Sequence, residues 1–213
     1  MNETMTEQLG CASEMRCTGD TPLDFTPNWD YARKFLDALD SGGTFTFQAF
    51  PEAEGSHTRP KVLHGTLEKY GAELEALNRA GSGNFVMVNA GDGVILAGAR
   101  TCRTTANVIR VRALFVDLDG APVAPVLRCA LPPDWVVQSS PSRWHAYWKV
   151  TDCQLDEFAS LQSDLAQTFN GDRTVKDLPR VMRVPGFYHR KAAPFRSELY
   201  LPDDYRRLLE IPE

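Results

Sequence analysis

No stretch of this sequence holds the roughly 18 consecutive apolar residues that a membrane-spanning helix requires, so no membrane is expected among its partners. The opening MNETMTEQLG has neither a basic segment nor an apolar core behind it, which argues against a secretory signal and for a cytoplasmic protein. Cysteine is sparse. The five residues are odd in number, scattered, and include no CxxC, so neither a disulfide framework nor a zinc ribbon is expected. Cys11 and Cys17 read as free thiols in a polar tail. No internal repeat or low-complexity tract occurs, and the lack of any His-x-His pair counts against a rolling-circle nickase. Positive charge is not in excess either: the net charge is −5, and nothing global demands nucleic acid. What is present suits a globular fold, with 43% hydrophobic and 24% charged residues in 213, enough for one large domain or a domain with a small lobe.

The charge is unevenly spread. Acids outnumber bases in residues 1–80, whereas residues 97–112 carry Arg100, Arg103, Arg110 and Arg112 and no acid. Residues 171–196 hold Arg173, Lys176, Arg180, Arg183, Arg190, Lys191 and Arg196 against Asp172 and Asp177. Cations gathered near carboxylates in an acidic chain suit a polyphosphate or a nucleic-acid backbone.

Residues 1–25 read as a flexible segment. Asn28 caps a helix over 29–40, residues 44–50 alternate as a strand, residues 66–79 are helical, and 85–89 form a short strand. The longest strand signal runs from 106 to 119. Residues 135–138 and 143–150 form a hairpin with a loop of four or five residues. A helix over 154–169 places Leu155, Phe158, Leu161, Leu165 and Phe169 on its apolar face. A strand over 196–201 and a short helix from Asp203 follow. Helices alternating with adjacent hairpins imply α+β with a largely antiparallel sheet.

Three segments carry chemistry. Asp117 and Asp119 end an apolar strand at i and i+2, on one face and about 6.6 Å apart at Cα. Such a pair repels unless a proton or a cation intervenes; equally, a strand can simply run out into a polar turn at Gly120. His145 lies among aromatics directly after Ser139, Ser140, Ser142 and Arg143, a plausible triphosphate cradle, although strand histidines also serve as core residues. Asp177, with Asp172 as its alternative, precedes Arg180, Arg183 and Lys191 and offers either a third metal ligand or a surface ion pair.

Taken in order, LFVDLDG, SSPSRWHAYW and VKDLPRVMRVPGFYHRK resemble the three motifs of the archaeo-eukaryotic primase superfamily, and most of all its RepB-like plasmid primases and primase-polymerases. The likeness spans about residues 28–201. It implies an RRM-like antiparallel catalytic lobe over about 105–213 and a small N-terminal α/β lobe over about 26–104. It also implies a DNA primase or primase-polymerase that joins NTPs or dNTPs on a single-stranded DNA template. On this resemblance Asp117, Asp119 and Asp177 hold two Mg²⁺ or Mn²⁺ ions. His145, Ser140, Ser142, Arg143, Arg183 and Lys191 contact the nucleotide, and Arg110, Arg112, Arg180 and Arg190 contact the template. The family's helical region after the catalytic core has no counterpart before Glu213, which implies a partner such as a helical primase domain or a replicative helicase.

Two other readings remain at this point. LFVDLDG is close to the nucleophile motif of haloacid dehalogenase-type phosphatases, but it lies mid-chain and too near GDRTVKD for the parallel strands that must intervene. A non-catalytic nucleic-acid-binding replication module would keep the arginines and leave the acids structural.

Overall fold

A computed structural model of the chain describes residues 24–210. The segment 1–25, all but its last two residues, and Cys11 and Cys17 with it, lies outside that range. Helix α1 (Trp29–Asp40) begins where the Asn28 side chain accepts the backbone N–H groups of Asp30 and Tyr31. Strands β1 (Phe45–Pro51) and β2 (Lys61–Gly65) form a hairpin, and α2 (Leu67–Arg79), capped by Thr66, leads to β3 (Ser82–Met87) and the short β4 (Ala90–Gly91).

The strand expected from 106 to 119 is broken. β5 (Val108–Arg110) pairs with β4, and β6 (Ala113–Leu118) starts afresh in another sheet. Between them Arg112 turns its side chain inward to bond Asp40 and the Thr44 carbonyl, which redirects the backbone. A four-residue turn of helix, α3 (Ala124–Leu127), precedes β7 (Trp135–Ser140) and β8 (Arg143–Lys149). Their connection is two residues, not four or five: Pro141 and a left-handed Ser142, with the extra length absorbed by a bulge between Gln138 and Ser140.

Helix α4 (Phe158–Thr168) is shorter than expected and rotated. Phe158, Gln162 and Ala166 are buried while Leu155 and Leu161 are exposed. Gln162 explains the rotation, because its amide serves an open strand edge: Oε1 accepts Phe115 N–H at 2.9 Å, and Nε2 donates to the Val175 carbonyl. Then come β9 (Val181–Arg183), β10 (Tyr188–His189), β11 (Phe195–Arg196), β12 (Glu198–Tyr200) and α5 (Tyr205–Leu208).

Two four-stranded antiparallel sheets result, ordered β2-β1-β3-β9 and β12-β7-β8-β6. From β6 onward the second sheet has the strand–helix–strand–strand–helix–strand order of an RRM-like unit, so the fold is α+β as expected. The antiparallel setting of β6 also removes the phosphatase reading, which needs a parallel sheet around its nucleophile strand. The main core spans both sheets: Phe35 of α1 meets Trp135 and Tyr147 edge-on, and Phe47, Val86 and Met182 pack into the same cluster. The two sheets interleave in sequence, because β9 comes from the C-terminal part and pairs with β3. The turn after β9 packs on α1. Gly186, at φ +89°, leaves no room for a Cβ, which would stand 2.2 Å from the Asn28 carbonyl oxygen. Among the described residues no helix is long and apolar enough to cross a membrane.

Candidate active site

The alternation of β6 sends Ala113 and Phe115 into the main core and leaves Asp117 on the same face where that core ends. Antiparallel pairing then decides its neighbours. Asp117 stands opposite His145, and Leu118 opposite Trp144 where β6 ends; Asp119, one residue further, meets Arg143 through its side chain. Two acids spaced i and i+2, the second just past the end of β6, therefore face a histidine and an arginine spaced the same way on β8. His145 Nε2 lies 3.8 Å from Asp117 Oδ1, and the Arg143 guanidinium pairs with the Asp119 carboxylate.

These residues line a cleft of about 590 Å³ together with Ser139, Ser140 and Pro141 from the β7–β8 turn, Phe85 of β3, Arg183 of β9, His189 of β10, and Lys191 to Ala193. His145 is buried, and that burial pushes its imidazole below the ordinary histidine value; Asp117 opposes this and Arg183 adds to it, leaving a neutral ring near pH 7. Its Nδ1 meets the Tyr147 hydroxyl at 3.4 Å.

Arg183 reaches the cleft as half of a buried ion pair. Its two terminal nitrogens donate to the Glu52 carboxylate at 2.7 and 3.2 Å, and its guanidinium lies 4.6 Å from the centre of the Phe85 ring. Burial alone would raise the Glu52 carboxyl, but the Arg183 hydrogen bonds and charge, with the Arg190 N–H, hold it below its ordinary value. His189 lies against this pair. Burial and the Arg183 charge lower its imidazole, and its Nδ1 is buried without a hydrogen-bond partner.

The other expected site residues are placed differently. Ser142 is exposed at the tip of the turn and does not line the cleft, whereas Ser139 and Ser140 do. Asp177 is exposed, pairs with Arg180 at 2.5 Å, and is not among the cleft-lining residues. Among the described residues no three acidic, histidine or cysteine side chains converge as a metal-holding group, so the expected meeting of Asp117, Asp119 and Asp177 is not seen. Asp172 touches the end of β6 through its backbone, while its carboxylate accepts the Thr174 N–H and, like that of Asp177, is not among the cleft-lining groups. Its N–H donates to the Asp117 carbonyl at 2.8 Å, and Gly171 runs so close that a Cβ would fall 2.9 Å from that oxygen.

Of the four arginines expected on a template surface, Arg112 is buried, bonded to Asp40 and stacked over Phe45. Arg190 donates to the Asn78 carbonyl and covers the Phe25 ring. Arg110 and Arg180 keep part of their surface while pairing with Asp40 and Asp177. Phe85, His189 and Glu52 escaped the sequence reading. Only the nearness of His189 to Lys191 in GFYHRK could have signalled one of them.

Comparison with known proteins bears on the family and the fold. The RepB DNA-primase N-terminal domain family matches residues 100–207, which include Asp117, Asp119, His145, Asp172 and Lys191. The primase-polymerase (AEP) domain of cyanophage S-2L is similar in structure, with a TM-score of 0.66 and 20% identity over 88% of this chain and 100% of that one. The catalytic domain of primase RepB′, solved in complex with initiator DNA, gives 0.58 and 18% over 83% of this chain and 84% of that one. A second RepB′ primase structure gives 0.57 and 16% over 80% and 55%. No curated protein matches the sequence. A matched segment covering half of the chain, on a fold shared with primase catalytic domains, makes this protein a member of the RepB DNA-primase family and an enzyme of the DNA-directed nucleotidyltransferase class.

Proposed function

We propose that this chain joins NTPs or dNTPs on a single-stranded DNA template, with Mg²⁺ or Mn²⁺ held at Asp117 and Asp119. The carrying observation is the cross-strand quartet Asp117–His145 and Asp119–Arg143 at the mouth of a cleft that also holds Lys191 and Arg183. The donors fit a hard divalent cation, since Mg²⁺ sites of this kind take a few carboxylates and draw their other ligands from substrate phosphates and water. Asp172, by its backbone placement, supplies the third acid in this reading. A bound cation there would supply Lewis-acid activation of a 3′-hydroxyl and neutralise phosphate charge.

The protein's own groups do the rest. Lys191 and Arg143 attract the triphosphate into the cleft and hold its charge. His145, neutral, offers one N–H to a phosphate oxygen, and the Ser139–Ser140 segment provides backbone and hydroxyl groups beside it. Phe85, kept in place by Arg183, presents an aromatic face to the cleft for a base or sugar. The template crosses the exposed cations of the second basic segment, residues 171–196, and its binding weakens as salt rises. A helical primase domain or replicative helicase completes initiation in the same reading.

The test is primer extension on a single-stranded template with labelled dNTPs or NTPs and Mn²⁺. Asp117→Ala is expected to lower extension by roughly 10²–10³-fold while leaving template binding intact. Extension that survives this change would overturn the proposal, and template binding without any extension by the wild type would leave a binding module.

A further inference from the structure

The cross-strand quartet treats its two acids unequally. Asp117 faces a buried imidazole at 3.8 Å, whereas Asp119 carries a guanidinium directly on its carboxylate. Arg143 is also unlike the other arginines near the site. Arg183 is clamped by Glu52 and stacked on Phe85, and Arg112 is clamped by Asp40, the Thr44 carbonyl and Phe45. The Arg143 side chain, by contrast, makes its one ion pair with Asp119, and both side chains are about half exposed, 54% and 52%. Its backbone is fixed where β8 begins, its carbonyl accepting the Ser139 hydroxyl, so the long side chain pivots from a rigid base. Arginine does not lose its charge at accessible pH. A half-exposed pair of this kind opens readily to water, so a cation on the carboxylate and a phosphate beside the guanidinium decide where the guanidinium rests.

We infer that Arg143 is a resident placeholder on Asp119, displaced by the incoming divalent cation and passed to the phosphates of the nucleotide. The inference rests on the functional reading above and deepens it. Its consequence is a coupling between two ligands. The cation must compete with Arg143 when it arrives alone, but not when a triphosphate has already drawn the guanidinium away. Nucleotide therefore tightens cation binding, and by linkage the cation tightens nucleotide binding by the same factor. The device also keeps the acid pair from standing bare and mutually repelling between turnovers.

The experiment measures Mn²⁺ binding to the full chain by the electron paramagnetic resonance signal of free Mn²⁺, without nucleotide and with a non-hydrolysable dNTP analogue. Arg143→Gln is expected to bind Mn²⁺ alone about tenfold more tightly than wild type, and the tightening by the analogue seen in wild type is expected to shrink to about twofold. Arg143→Lys, which keeps the charge but not the planar fork, is expected to stay near wild type for Mn²⁺ alone and serves as the second variant should Arg143→Gln fold poorly. Thermal melting establishes that each variant is folded. Unchanged or weaker Mn²⁺ binding in folded Arg143→Gln, with binding still abolished by Asp119→Asn, overturns the placeholder while leaving the nucleotidyl-transfer reading intact. Mn²⁺ binding that ignores both Asp117→Asn and Asp119→Asn overturns the two together.

Discussion

Two arginine–carboxylate pairs border the same cleft and are built in opposite ways. Arg183 and Glu52 are 5% and 1% exposed, joined by two hydrogen bonds, and backed by an aromatic ring. Arg143 and Asp119 lie in solvent by about half their surface and have the single pair between them. Removing one member of the first pair strands a charge in a place water cannot reach; removing one member of the second merely returns the other to water. The difference teaches which cations of a basic cleft belong to the scaffold and which are available to a ligand, a distinction that net charge does not make.

The comparison breaks most sharply on stability. Glu52→Ala is expected to cost about 3–5 kcal/mol in a denaturant titration, since it leaves Arg183 buried and unpaired, whereas Asp119→Ala should stay within about 0.5 kcal/mol of wild type. Similar losses from the two changes would erase the contrast. A gentler probe is pH. The folded protein holds the Glu52 carboxyl below its ordinary value near 4.5. The contribution of the pair is therefore complete above that pH and fades as pH falls through the folded-state value. The stability gap between wild type and Glu52→Gln should narrow on acidification, and a gap that stays constant from neutral to acid would contradict this assignment. The smallest effect belongs to a third pair, Asp177–Arg180, partly exposed at 46% and 31%. Asp177→Ala should cost about 0–1 kcal/mol and leave primer extension within a factor of about two, while Asp172→Asn should depress extension to the level of the Asp117 variant. The reverse order would return the third acid to Asp177.

These pairs also mark how far the sequence could be read. The helix from Trp29 was legible because its cap and its period are local, and the Asp117–Asp119 strand because an apolar run ending in alternating acids has few other meanings. The β7–β8 hairpin was legible in outline, though its loop was overestimated, because a bulge leaves no compositional trace. The strand Lys61–Gly65 was overlooked; its alternation spans five residues and only Leu63 and Gly65 are fully buried. The roles of Arg112 and Arg183 were out of reach, since their partners Asp40 and Glu52 lie 72 and 131 residues away and only the fold brings them together. The sequence does not separate Asp172 from Asp177 for a related reason. Both sit in turns, and what separates them is which backbone edge each turn touches.

The three residues of β9 have a consequence beyond the cleft. Because Val181–Arg183 covers the free side of β3, cutting the chain back after the helix that ends at Thr168 would not yield a quiet half-enzyme. It would uncover backbone donors and acceptors along the largely buried strand β3, the kind of edge that recruits a second molecule. Such a shortened form, which also lacks Asp172, Arg183 and Lys191, should therefore self-associate as well as lose nucleotide binding, whereas the full chain keeps this edge covered.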